Sequence, residues 1–129
     1  MRYLTTKEVI AINTFVIKKY SPTEPIGIKD HALLESALLR AQTTVGGEDA
    51  YQSVFEKAAA LFESIALNHA FINGNKRTAL QSLTIFLRYN GFEFIMKTDE
   101  KVDFTVNVVL KHYSVSEISS IIQEHSSKI

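Results

Sequence analysis

The chain has 129 residues, in which 14 Lys and Arg residues balance 14 Asp and Glu residues, and it contains no cysteine. Zero net charge excludes a general basic surface for nucleic acid, and the lack of cysteine excludes disulfides, thiolate metal sites and a cysteine nucleophile. No apolar run reaches membrane-spanning length, and the first residues become polar too early for a signal peptide. We therefore expect one cytoplasmic domain over residues 1–129, with no nucleic-acid or membrane partner.

The first part of the chain predicts two helices joined by an irregular segment. A capping box of Thr5 and Glu8 opens the first helix, which runs to about Tyr20. The segment SPTEPIGIKD, residues 21–30, holds both prolines and breaks the helical pattern. Asp30 is the predicted N-cap of the second helix, DHALLESALLRAQ.

A glycine pair separates these helices from the next one. Gly46-Gly47 predicts a turn or an exposed flap. Ser53 and Glu56 form a second predicted capping box, which opens the helix SVFEKAAALFESIALNH. That helix is apolar nearly all round, which is typical of the central helix of a domain, and we expect it to end near His69.

The remaining segments complete an all-α pattern. Asn73-Gly74 is a strong turn signal, and Asn75 is the predicted N-cap of a helix that Gly91 terminates. A short extended piece, FEFIM, precedes two further helices, one over about 99–113 and one from about 116 toward the C-terminus. The expected fold is a compact bundle of about six helices with a short flap and minimal strand.

The stretch HAFINGNKRTAL, residues 69–80, places polar chemistry between two apolar helices. The helix that starts near Asn75 offers free N–H groups and the positive end of its dipole. Lys76 and Arg77 in its first turn oppose that dipole, so an anion, most simply a phosphate, is expected to compensate them. His69 faces the same turn and is a candidate general base.

Structural alternatives for these residues remain open from the sequence alone. His69 could be a helix cap, because a protonated histidine is favourable at a helix C-terminus. Lys76 and Arg77 could be solvated, or they could pair with Glu35, Glu56 or Glu63. Phe71 is most simply an anchor that packs the loop onto the core.

HAFINGNKRTAL resembles the central motif of the Fic/Doc superfamily, whose Doc form is H-x-F-x-D-[A/G]-N-K-R-T-A. The likeness covers about residues 27–94 and includes FLRYNGFEF. Lys76 takes the place of the second motif glycine of Fic adenylyltransferases, and Leu80 takes the place of their second arginine. The chain also lacks the inhibitory segment S/T-x-x-x-E-G/N of many Fic proteins. It therefore resembles the Doc branch, with a Fic-like helical bundle.

The resemblance implies the toxin of a toxin–antitoxin pair, restrained by a Phd-like antitoxin. Doc-like toxins use ATP and Mg²⁺ to phosphorylate a threonine of elongation factor Tu, which blocks translation. By motif position His69 would be the general base, and Phe71 would pin the loop. The Gly46-Gly47 region would be the flap to which a target segment adds as a strand. The residues that would hold the nucleotide phosphates are Gly74, Asn75, Lys76 and Arg77. Lys76 and Arg77 would also be catalytic residues.

Two positions depart from the family pattern. Asn73 stands where both branches carry an acidic residue that helps to hold Mg²⁺, and an amide oxygen is a weaker ligand for this metal. Asn13 stands where many Doc-like chains carry a histidine. The chain could therefore be active with a weaker metal site, a degenerate binding module that keeps only antitoxin or target binding, or a deliberately weakened form. A Fic-type AMP transferase is a further alternative.

Overall fold

The computed structural model describes residues 1–129 and is predominantly helical. The helices are α1 (Thr6–Tyr20), α2 (His31–Leu39), α3 (Val54–Asn68), α4 (Asn75–Tyr89), α5 (Thr98–Lys111) and α6 (Val115–Glu124), and a short 3-10 turn, Arg40–Gln42, follows α2. The strands are β1 (Thr44–Val45), β2 (Glu48–Asp49), β3 (Phe92–Phe94) and β4 (Ser126–Lys128). The all-α class and the six helices predicted from the sequence are confirmed. None of these helices combines the length and hydropathy that a bilayer crossing requires.

Helix α3 is the central helix, as its all-round apolar sequence predicts. It packs against α2, α4, α5 and α6. Three successive alanines, Ala58, Ala59 and Ala60, are fully buried, so neighbouring elements cover this level of α3 on every side. Phe62 stacks on Phe104 of α5 with ring centroids 5.0 Å apart. The α3–α4 turn therefore projects from a rigid core.

Side-chain caps define where the first three helices begin. The Thr5–Glu8 box forms in both directions, with hydrogen bonds of 3.2 and 3.0 Å. Asp30 accepts a bond from the N–H of the third helical residue of α2, as predicted. The second box is incomplete. Ser53 accepts from the Glu56 N–H, but the Glu56 carboxylate accepts from the Gln52 N–H rather than from the N-cap.

The predicted N-cap of α4 is wrong by one residue. Gly74 is the N-cap, with φ 75°, and Asn75 is the first helical residue. The sequence favours Asn75 because asparagine is a strong N-cap residue. In the folded chain its side chain instead hydrogen-bonds the backbone of Phe71, with the donor and the acceptor both used.

The four strands form two small antiparallel sheets. β1 and β2 make a hairpin in which Val45 pairs with Glu48 across Gly46 and Gly47. Both glycines have positive φ, 60° and 84°, as a tight two-residue hairpin turn requires. β3 pairs with β4. The last helix was predicted to run toward the C-terminus, but α6 ends at Glu124 and β4 follows it. Ser126–Lys128 carries no strand pattern in the sequence and acquires its conformation from pairing with β3.

Candidate functional site

The turn between α3 and α4 begins at His69, the C-cap of α3. His69 adopts the left-handed conformation with φ 51°, and its exposed side chain makes no hydrogen bond. The residues after it are held by backbone bonds to the segment at 27–30. Ala70 O accepts from two successive N–H groups of that segment at 2.7 and 3.1 Å, and Ile72 N–H donates to Gly27 O at 3.0 Å. The imidazole of His69 is therefore free to contact a ligand, while the backbone that follows His69 is held in place.

Asn75 closes the turn from the other side. Its Oδ1 accepts from the Phe71 N–H at 3.0 Å, and its Nδ2 donates to the Phe71 carbonyl at 3.0 Å. Phe71 is 2% exposed and bridges to Ile28, so this amide satisfies two backbone groups that water does not reach. Only the backbone N–H of Asn75 remains for a phosphate.

Asn13 of α1 hydrogen-bonds both the α3–α4 turn and the start of α4. It is 1% exposed, and its Nδ2 donates to Asn73 O at 2.9 Å and to Thr78 Oγ1 at 3.1 Å. Gly74 packs directly above it. A Cβ at Gly74 would lie 3.1 Å from Ile17 Cγ1 and 3.3 Å from Asn13 Nδ2, and the positive φ disfavours any side chain there. This role of Asn13 was not predicted, although a polar residue among the apolar positions of α1 is a signal that the sequence contains.

The N-terminus of α4 has the features of an anion site. No side chain caps it. Lys76 and Arg77 are exposed and belong to no ion pair. Arg77 Nη1 donates to Ser21 Oγ at 3.0 Å, and its guanidinium lies 4.7 Å from the Tyr20 ring centroid. The free N–H groups and the two cations therefore lack a negative partner within the chain.

The alternative in which acidic side chains neutralise these two cations is wrong. Glu63 pairs with Arg40, and Glu56 accepts from a backbone N–H in the segment before α3. Glu35 makes no ion pair. The three carboxylates lie on α2 and α3, and none of them forms an ion pair or a hydrogen bond with Lys76 or Arg77.

A third cation, not predicted from the sequence, lies beside this turn. Lys101 of α5 lines a pocket of about 200 Å³ together with Lys76 and Arg77. No carboxylate lines that pocket, and its other walls include Leu80 and Val102. Three cations around one small pocket favour an anionic ligand. Only the packing of α5 against α4 reveals this grouping.

Asn73 has a structural partner in the loop before α2. Its Nδ2 donates to Pro25 O at 3.1 Å, while its own backbone carbonyl accepts from Asn13. Oδ1 is thus its one oxygen without a protein partner. The chain contains no group of three or more His, Cys, Asp or Glu side chains arranged to hold a metal. This donor set does not fit Mg²⁺, which proteins bind through carboxylates and phosphates.

A cavity lies between α2, the 3-10 turn and the C-terminal part of α3. It has a volume of about 710 Å³, and its lining includes Thr43, immediately before β1, and Asn68, immediately before His69. Gly46 and Gly47 lie at the exposed tip of the β1–β2 hairpin. The fold therefore brings together His69 and the run from Asn73 to Arg77 through one short turn. The cavity reaches the residue before the flap and the residue before His69, while Gly46, Gly47 and the turn itself do not line it.

Comparisons with known proteins agree with the motif. The profile of the Fic/DOC family matches residues 3–87. A protein named Toxin Doc, from Mycolicibacterium smegmatis, is 46% identical over 72 residues, which are 56% of this chain and 55% of that protein. A protein named Protein kinase doc, from Escherichia phage P1, is 32% identical over 123 residues, which are 95% of this chain and 94% of that protein. This chain thus spans about half the length of the first relative and nearly all of the second.

The chain belongs to the Fic/Doc family, and its two relatives class it with the Doc-type toxins. The family predicted from HAFINGNKRTAL is confirmed. The family and the kinase among the relatives indicate a transferase-type enzyme.

Proposed function

We propose that this Doc-type toxin is a protein kinase that transfers the γ-phosphate of ATP to a hydroxyl group of a target protein. The observation that carries the proposal is the uncapped N-terminus of α4, where Lys76 and Arg77 lack any acidic partner, in the same fixed turn as the free His69 imidazole. Phosphoryl transfer needs positioning and charge neutralisation more than covalent chemistry, and this turn supplies both. The phage relative named as a protein kinase supports the choice of phosphate as the transferred group.

In this proposal His69 takes the proton of the acceptor hydroxyl through a ring nitrogen. The hydroxyl oxygen then bonds to the γ-phosphorus, the bond from that phosphorus to the bridging oxygen breaks, and ADP leaves with the electron pair. Lys76, Arg77 and the N–H groups of the first turn of α4 balance the phosphate charge. The bonds from Asn75 and Asn13 hold these groups in place before ATP binds, so less reorganisation accompanies the reaction.

The partners follow from the family rather than from the geometry. The toxin relatives imply an antitoxin partner, and we propose that it is of the Phd type. We propose a threonine of elongation factor Tu as the acceptor, in keeping with the family resemblance, so that modification blocks translation.

The test is incubation of the chain with ATP, Mg²⁺ and elongation factor Tu, followed by the intact mass of the factor. We expect a gain of one phosphate that disappears with His69→Ala. His112→Ala is a matched control, because His112 is also an exposed helix C-cap in the left-handed conformation. It should leave the gain intact. A gain of one AMP would instead identify a Fic-type AMP transferase.

Asn73 favours a second candidate function, a binding module without catalysis. The turn holds no carboxylate for Mg²⁺, and Asn73 is engaged with Pro25. In that case neither the parent chain nor Asn73→Asp would modify the factor, while both would still bind a Phd-type antitoxin. Activity in the parent chain would exclude this candidate.

A further inference from the structure

The flap is too small to hold its own position. Its strands β1 and β2 have two residues each, and all four residues are exposed. An isolated two-stranded hairpin is marginal in water even when it is longer than this. Beyond the ladder, one backbone bond, from Ala50 N–H to Thr43 O at 2.8 Å, closes the base of the hairpin. Contacts with the helical bundle must therefore set where the flap lies.

Lys57 of α3 makes the first of these contacts. Its side chain is 2% exposed, which is unusual for a lysine, and its Nζ lies 3.0 Å from Asp49 Oδ2 in β2. The same ammonium donates to the carbonyl of Tyr51. A buried cation is costly unless it is paired and hydrogen-bonded, so the fold favours the arrangement in which β2 supplies its partner.

Arg40 makes the second contact from the 3-10 turn. Its Nε donates to the Tyr51 hydroxyl at 3.3 Å, and its Nη1 donates to the Glu63 carboxylate and to Ser64 Oγ on α3. Burial alone would lower the pKa of Arg40, but the hydrogen bonds to Glu63 and Tyr51 outweigh it and raise that pKa. Lys57 therefore holds Asp49 in β2, and Lys57 and Arg40 together hold Tyr51, which follows the flap.

We propose that Lys57 and Arg40 are positioning residues that hold the flap so that β1 presents its free edge to an extended segment of the target protein. Arg40 also lines the cavity that runs from Thr43 to Asn68, so a segment laid along β1 continues toward His69. The acceptor part of this inference rests on the proposed kinase function, whereas the anchoring of the flap does not.

The anchoring is tested by hydrogen exchange at the Ala50 amide in the free protein. Asp49→Asn removes the charge from a half-exposed side chain, and Lys57→Met replaces the buried cation with an apolar chain of similar length. We expect the Ala50 amide to exchange about tenfold faster in either variant, which is the size of effect that the loss of one coupled pair produces. The amides of α4 should exchange at the same rate as in the parent. Glu100→Gln is the matched control, because it also removes a carboxylate beside a basic side chain, that of His125 at the end of α6, and makes no contact with Asp49 or Lys57, so it should change nothing at Ala50. Unchanged exchange in Asp49→Asn would overturn the anchoring.

The acceptor role is tested by kinetics on elongation factor Tu. In Asp49→Asn we expect the KM for the protein substrate to rise about tenfold, with kcat and the KM for ATP unchanged. Lys57→Arg, which keeps the charge, should recover part of the loss that Lys57→Met shows. Faster exchange at Ala50 with an unchanged KM would overturn the acceptor role. A parent chain without any kinase activity would refute the proposed function, and the exchange measurement would still decide whether Lys57 anchors the flap.

Discussion

Asn75 and Phe71 exchange two hydrogen bonds of 3.0 Å each, one in each direction between an amide side chain and a buried backbone. This single side chain therefore sets the shape of the turn that presents the α4 N-terminus. In Asn75→Ala, the Phe71 N–H and carbonyl lose their partners without gaining water. We expect the free energy of unfolding to fall by about 2–3 kcal/mol, measured by urea denaturation.

Two further variants check the cause. Asn75→Asp keeps the acceptor but loses the donor, so its loss should be smaller than that of Asn75→Ala. Lys76→Ala, at the exposed neighbouring position, should change stability by less than about 0.5 kcal/mol. Equal losses in Asn75→Ala and Lys76→Ala would contradict the role of the amide.

The three cations of the small pocket should act together on an anion. We expect Lys76→Gln and Lys101→Gln each to weaken ATP binding about fivefold to tenfold in calorimetry at low salt, because each removes about 1 kcal/mol of charge attraction. The loss should shrink as salt is added. Lys111→Gln, at the other end of α5, is the control and should bind ATP as the parent does. Unchanged affinity in Lys101→Gln would remove Lys101 from the site.

Asn73→Asp should exchange a structural bond for a metal ligand. The aspartate carboxylate cannot donate a hydrogen bond to Pro25 O, so a carboxylate oxygen would face that carbonyl oxygen without a bond. We expect the free energy of unfolding to fall by about 1 kcal/mol without Mg²⁺. Millimolar Mg²⁺ should then raise the melting temperature of the variant but not that of the parent. Asn107→Asp on α5 is the matched amide-to-acid control, and an equal Mg²⁺ response in the parent would contradict the weak metal site.

The contact between Glu8 and Tyr89 predicts how stability depends on pH. The Tyr89 hydroxyl donates to Glu8 Oε2 at 2.6 Å. This bond, followed by the backbone bond from Thr5, holds the pKa of Glu8 below its ordinary value of 4.5. The same bond, followed by burial, raises the pKa of Tyr89 above 10.0.

The two shifts give opposite slopes. Just below pH 4.5 the unfolded chain binds more protons than the native one, so the contribution of Glu8 is lost as the pH falls. Above pH 10 the native chain keeps the tyrosine proton longer, so that contribution is lost as the pH rises. The parent should exceed Tyr89→Phe in stability by about 1 kcal/mol near neutral pH, and by less at both extremes. A difference independent of pH would contradict this pairing.

Local chemistry made much of the fold predictable. The helix starts at Thr5 and Asp30 follow from side chains that bond N–H groups three residues away, and the hairpin at Gly46-Gly47 follows from two successive positive φ angles. The α3–α4 turn was also predictable from local sequence, because HAFINGNKRTAL contains the polar residues of the turn in one continuous stretch. These features depend on neighbours in the chain, so a single sequence contains them.

Long-range contacts decided the rest. Asn13 reaches Asn73 and Thr78, more than 50 residues away, and Lys101 lies beside Lys76 and Arg77 only because α5 packs beside α4. From the sequence, Asn75 has the features of an ordinary N-cap residue. Its side-chain amide instead hydrogen-bonds the N–H and the carbonyl of Phe71, because burial of the turn leaves these two backbone groups in need of a partner. The sequence by itself determined the helices and the residues of the turn. Only the tertiary structure decided which groups brace that turn, since burial and partner choice depend on segments that packing brings together.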